Sequence, residues 1–147
     1  MANINTVLTG LAGPFRTLGI NAYEQWSEQI SGPAVMFKPP SGEYEQAFGA
    51  SGDARMVMRV EAEVLVPLAG GIVNAQVRMN NYLSNTGASS IRVAIAADRT
   101  LGGAVNYALC HGWSGYDVKV IGGDKSDTRD GGVEYLGATV HIEVDVS

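Results

Sequence analysis

Residues 133–146 read VEYLGATVHIEVDV, and the spacing of their apolar side chains decides what kind of domain this chain can form. Leu136, Ala138, Val140, Ile142, Val144 and Val146 alternate with Tyr135, Thr139, His141, Glu143 and Asp145. A period of two puts the first set on one face of an extended chain and the second set on the other, which predicts a long strand with one buried and one wet side. Residues 54–66, ARMVMRVEAEVLV, repeat the pattern. Met56, Met58, Val60, Ala62, Val64 and Val66 share one face, and Arg59, Glu61 and Glu63 share the other. Two such strands need an apolar layer over one side of their sheet.

Helical periodicity elsewhere supplies that layer. Ile4, Val7, Leu8 and Leu11 recur at helical spacing behind Asn3 or Asn5, either of which suits an N-cap, and Gly13-Pro14 is expected to stop this first helix. After Pro67 and Gly70-Gly71, residues 72–83 place Ile72, Ala75, Met79, Tyr82 and Leu83 on one stripe, with Asn74, Gln76, Arg78 and Asn81 mostly elsewhere. Ser89-Ser90 can cap a third helix whose apolar side is Ile91, Ala94 and Ile95, broken by Leu101-Gly102-Gly103.

Short strands are expected at 20–26 and 34–38, separated by the turn Ser31-Gly32-Pro33 and followed by Pro39-Pro40-Ser41-Gly42. Two more are expected at 107–113, where Tyr107, Leu109, His111 and Trp113 alternate with Ala108, Cys110 and Gly112, and at 116–121. Residues 122–132 hold no apolar side chain and are bracketed by paired glycines, which reads as a flexible, solvated loop closing a hairpin between 116–121 and 133–146. The sum is one α+β domain over residues 1–147: two layers, a largely antiparallel or mixed β-sheet packed by two or three α-helices.

Composition narrows the function classes. At 147 residues and 46% hydrophobic, the chain suits one core, because a domain of about 150 residues buries roughly 70% of its extended surface. A net charge of −5 without any run of Lys or Arg disfavours tight nonspecific nucleic-acid binding. One cysteine, Cys110, excludes an intrachain disulfide, and no Cys/His cluster has zinc-ligand spacing. No signal-peptide pattern and no run of 18 apolar residues occurs, so a protein made in the cytoplasm without a membrane partner is expected. No Walker A motif, HExxH, GxSxG or dinucleotide fingerprint appears; neither catalysis, a cofactor nor a bound metal is expected.

Three stretches resemble the tail-terminator (tail-completion) proteins of long-tailed, siphovirus-like bacteriophages of actinobacteria. They are PPSGEYEQAFG at 39–49, YLSNTGASSIRVAIAADRTLGGAV at 82–105 and GGVEYLGATVHIEVDV at 131–146, in the family's order. The chain departs from that pattern in its glycine-bracketed insert at 122–132, where such proteins run more directly between strands, and its first 30 residues match only in style. The resemblance implies a tail-terminator-like fold and a homo-hexameric ring. Such a ring caps the tail tube protein, ends tube elongation and joins the head-tail connector or stopper protein, with genomic DNA passing through its lumen. It also implies a place in the tail or neck of the virion after assembly in the host cytoplasm. A tail tube or head-completion protein of the same assembly is the neighbouring alternative, and a small ligand-binding or enzymatic α+β domain with a concave pocket is the distant one.

Two groups of residues are candidates for that role. Glu61, Glu63, Glu143 and Asp145 all fall on the polar faces of the two long strands, and together they are expected to make a negative surface. Such a surface either is the ordinary wet side of a sheet or lines a DNA passage to which a polyanion does not stick. Asp124, Lys125, Asp127, Arg129 and Asp130 in the polar loop are candidates for a docking arm that orders on contact with a neighbouring ring. Cys110 and His111, adjacent on a strand, point to opposite faces and cannot act as a dyad. His111 and His141 can meet across strands, yet two imidazoles without a third ligand make a poor metal site. Trp26, Tyr107, Trp113 and Tyr116 read as core or inter-subunit packing, since a base-stacking role needs a basic groove beside them.

Overall fold

The computed structural model describes residues 3–24, 32–46, 54–121 and 133–146. The candidate docking residues Asp124, Lys125, Asp127, Arg129 and Asp130, the rest of loop 122–132, and Trp26 lie outside the described residues. Those described form three helices and a six-stranded mixed sheet, an α+β fold. In chain order they are α1 (Ile4–Thr17), β1 (Asn21–Tyr23), β2 (Ala34–Phe37), β3 (Ser41–Gln46), β4 (Ala54–Pro67), α2 (Ile72–Leu83), α3 (Ile91–Ala97), β5 (Tyr107–Ile121) and β6 (Val133–Val146).

The sheet runs β1-β2-β4-β6-β5, with β3 also paired to β4. Only β1 and β2 are parallel; the remaining pairs are antiparallel. β4 and β6, the two amphipathic stretches, lie side by side in unbroken register from Met56 opposite Val146 to Pro67 opposite Tyr135. Opposed residues in an antiparallel pair share a face, so the two apolar sets merge into one. Met58, Val60, Ala62, Val64 and Val66 of β4 and Leu136, Ala138, Val140, Ile142, Val144 and Val146 of β6 are all buried in the main core.

All three helices cover that face. α1 contributes Val7, Leu11 and Phe15, α2 contributes Ala75, Met79 and Tyr82, and α3 contributes Ile91 and Ile95. Each large side chain buried this way stabilises the fold by about 1.5–3 kcal/mol. Asn3 is the N-cap of α1, its Oδ1 accepting from the Thr6 N–H at 2.9 Å, and Ser90 caps α3 by accepting from the Val93 N–H at 3.3 Å.

Several elements differ from the sequence reading. α1 does not stop at Gly13-Pro14 but runs to Thr17. Proline removes one backbone donor, yet the last turn is held from outside: Phe15 is fully buried and packs edge-on against Phe37 at 5.7 Å. The Thr17 hydroxyl also donates to the Gly13 carbonyl at 3.1 Å. β1 covers Asn21–Tyr23, leaving out Ile20 and Glu24 of the expected 20–26, of which 25–26 lie outside the described residues, and it pairs with β2 in parallel. Pro39-Pro40-Ser41-Gly42 is not simply a turn, because β3 begins at Ser41 and pairs with the first half of β4. Ile72, expected on the inner stripe of α2, is 52% exposed.

The expected strands 107–113 and 116–121 are one strand, β5, carried through two irregularities at Cys110/Gly112 and Ser114/Asp117. Bulges leave extra residues out of the ladder and bend the strand without ending it. α3 ends at Ala97, ahead of Leu101-Gly102-Gly103, where three successive positive φ angles of 50°, 71° and 92° turn the chain toward β5. Leu101 accepts that left-handed geometry with its side chain buried in the core; the two glycines adopt it without a Cβ penalty.

Candidate functional site

The face of the sheet away from the helices carries the chemistry the sequence pointed to. Register places Val57 opposite Asp145, Arg59 opposite Glu143, Glu61 opposite His141 and Glu63 opposite Thr139. The four candidate carboxylates Glu61, Glu63, Glu143 and Asp145 therefore do share one face of β4 and β6. The surface is not uniformly negative, because basic side chains from other positions stand among them.

Glu63 is buried, 4% exposed, and its Oε1 lies 2.9 Å from Lys119 Nζ of β5. To reach β4 from β5, the lysine stem has to cross β6, and it crosses at Gly137. A Cβ there would sit 2.8 Å from Lys119 Cδ and 3.1 Å from Leu65 Cδ2, so the missing side chain is what opens the path. The apolar stem covers the sheet while the ammonium reaches its partner.

Asp145 is buried as well, 3% exposed. Arg55 of β4 donates to its Oδ2 from Nε at 2.9 Å and again from Nη2, and Asn106 Nδ2 donates to its Oδ1 at 3.3 Å. The Arg55 hydrogen bond is the main reason the carboxyl titrates below its usual range; burial opposes it, and Asn106 adds a smaller stabilisation of the anion. Glu61 is exposed between Lys38 Nζ at 3.7 Å and His141 Nδ1 at 3.8 Å, and Glu143 accepts from the Tyr107 hydroxyl at 3.4 Å. Arg59 and Glu43 add an exposed pair at 3.5 Å, the kind that contributes little. The face is thus a lattice of opposite charges with two anchored carboxylates, Glu63 and Asp145, and two accessible ones, Glu61 and Glu143.

His111 and His141 do meet across strands, rings stacked at 6.1 Å, but no group of three potential metal ligands forms among the described residues. Cys110 sits on the helix side, opposite Ile142, whereas His111 lies with His141 on the other; burial raises the thiol's pKa, the reverse of what a nucleophile needs. One constellation went unread in the sequence. Ser114 Oγ is 2.7 Å from His141 Nε2, whose Nδ1 faces Glu61. Ser114 and His141 are 27 positions apart and Glu61 belongs to a third strand, so only the pairing of β4, β6 and β5 reveals the chain of groups. Serine, imidazole and carboxylate in that order can pass a proton. Here, however, the imidazole–carboxylate gap exceeds hydrogen-bonding distance, and Ser114 and Glu61 stand exposed on an open sheet face.

Two sizeable half-open grooves lie on the helix side among the described residues. The larger, about 640 Å³, runs between α2 and the turn preceding it; among the described residues, Arg78 is the charged side chain on its wall, and no carboxylate, imidazole or thiol lines it. The smaller, about 400 Å³, lies between α3 and β5, bounded by Ile91, Arg92, Cys110 and Trp113. Trp113 meets Tyr116 edge-on at 6.1 Å, and the Tyr116 hydroxyl donates to Asn80 Oδ1 at 2.9 Å, tying β5 to α2. No helix of the described residues is long and apolar enough to cross a membrane. Neither a protein-family model nor a curated protein matches this chain.

Two outcomes are expected at this site. Asp145→Asn should cost about 1–2 kcal/mol at pH 7, the low end for a hydrogen bond to a charged group because Arg55 is half exposed. A carboxyl held below its usual pKa contributes stability above the unfolded value of about 3.9 and loses it as pH falls through the folded one. Urea unfolding should therefore show a gap between wild type and variant at pH 7 that narrows at pH 3; a gap that does not change with pH removes the ion pair from the account. Ser114, lacking a hydrogen-bonded carboxylate behind its histidine, should resist a fluorophosphonate probe. Stoichiometric labelling lost in Ser114→Ala would instead reinstate an enzyme.

Proposed function

We propose that the protein is a structural subunit of a bacteriophage tail, a ring-forming tail terminator that works by shape complementarity rather than by chemistry. The observation that carries the reading is unpartnered apolar surface on the helix side. Trp113, Val118 and Val120 of β5 and Val73 and Val77 of α2 are 43–67% exposed. Exposed apolar surface of this kind favours a protein–protein contact. Together with the three sequence stretches that resemble tail terminators, it favours lateral association of like subunits into a closed ring.

In such a ring, one end meets the last ring of the tail tube protein and the other meets the head-tail connector. Genomic DNA passes through the middle without specific binding. The charge-paired sheet face suits the wall of that passage. Among the described residues, Lys119 is engaged by Glu63 and Arg55 by Asp145, which disfavours their gripping phosphates, and the accessible Glu61 and Glu143 repel them.

Negative-stain electron microscopy of the purified protein, alone and mixed with tail tubes, tests the reading. Closed rings seated at one end of each tube are expected. Long open tubes would reassign the protein to the tube itself, and a monomer that never touches a tube would end the proposal.

A further inference from the structure

Two of the free strand edges of the sheet, those of β3 and β5, are unlike and complement each other. Among the described residues β5 pairs on one side only, with β6, and β3 pairs on one side only, with β4. Free strand edges present backbone donors and acceptors that a further strand can satisfy. The antiparallel pairings make β4 and β5 run one way and β3 and β6 the other. Copies related by rotation about an axis near the strand direction then bring the β3 of one antiparallel to the β5 of the next.

The faces match in the same arrangement. Along β3, Glu43 lies opposite Val57 on the charged face, and Tyr44 lies opposite Met56 on the helix side. When the sheet continues from one copy into the next, Glu43 comes to the polar face, on which β5 carries His111 and Ser114, and not to the apolar one. Tyr44, 75% exposed, comes to the helix side, where β5 borders the groove of about 400 Å³. That groove offers Ile91, Cys110 and the half-exposed Trp113 as apolar walls and Arg92 as a cation toward an aromatic ring.

We propose that a second copy of this chain occupies the groove. Tyr44 on the β3 edge of one copy seats against Trp113 on the β5 edge of the next, extending the sheet across the junction. The contact is head-to-tail: each copy donates a tyrosine at one edge and receives one at the other, so the chain of contacts propagates until it closes. The inference rests on the proposed self-association but not on its place in a phage tail.

Sedimentation of the full-length protein over a range of concentrations tests it, using wild type, Tyr44→Ala, Trp113→Ala and a one-to-one mixture of the two variants. Both side chains are exposed in the single copy, so the variants should keep the wild-type circular-dichroism spectrum. Each variant alone should associate about tenfold more weakly or worse, the effect of losing one aromatic anchor. The mixture should form heterodimers, because the intact Tyr44 of one variant finds the intact Trp113 groove of the other. If Trp113→Ala loses its fold, Tyr44→Asp, altered on β3 alone, must still weaken association. Variants that assemble like wild type, or a mixture no better than its components, overturn this contact while leaving a ring built through other surfaces standing. A wild type that stays monomeric at every concentration overturns both.

Discussion

The structure depends on the pairing of β4 with β6. Twelve consecutive residues of each strand, Met56 to Pro67 and Tyr135 to Val146, oppose one another without a bulge. With a side-chain period of two, a slip of one residue on either strand would turn its apolar set toward the charged face. Keeping register delivers Met58 to Val66 and Leu136 to Val146 to the helices as one surface, and leaves Glu61, Glu63, Glu143 and Asp145 together on the other. Everything attached to the sheet, from the helix layer to the ion pairs, inherits its position from that ladder.

What the sequence disclosed follows from the same periodicity. The faces of 54–66 and 133–146, the stripe of Ala75, Met79 and Tyr82, and the Ser90 cap are local patterns, and local patterns survive folding when one side is buried. β3 was not legible because SGEYEQ has no apolar alternation: its strand state comes from the β4 backbone beside it. β5 looked like two strands because Ser114-Gly115 interrupts the alternation where the second bulge falls. α1 outlasts Pro14 because Phe15 is anchored by a residue 22 positions later, Phe37, which no window on the helix contains.

The candidate site was legible by membership but not by charge. Alternation brought four carboxylates to one face, as the structure has it, but it said nothing about Lys119 crossing Gly137 or Arg55 closing on Asp145. Those partners stand on other strands, one of them two strands away, and their pairing is a property of sheet order. On the proposed reading the difference matters: a continuous negative wall would push subunits apart as well as DNA, whereas a charge-paired wall tolerates close neighbours while Lys119 and Arg55 stay engaged by carboxylates. Exposed large apolar side chains are concentrated on β5 and α2, so in the proposed ring cohesion falls to the helix side and the sheet edges, and the charged face stays passive.

Amide hydrogen exchange, followed by mass spectrometry on dilute and on concentrated protein, tests the central claim most directly. If β4 and β6 form the spine and the free edges form the contacts, β4 and β6 amides exchange slowest in both samples, while β5 and β3 amides exchange quickly when dilute and slow markedly when concentrated. Faster exchange in β6 than in β5 in the dilute sample, or protection gained on concentration only at segments away from β3, β5 and α2, would contradict the account.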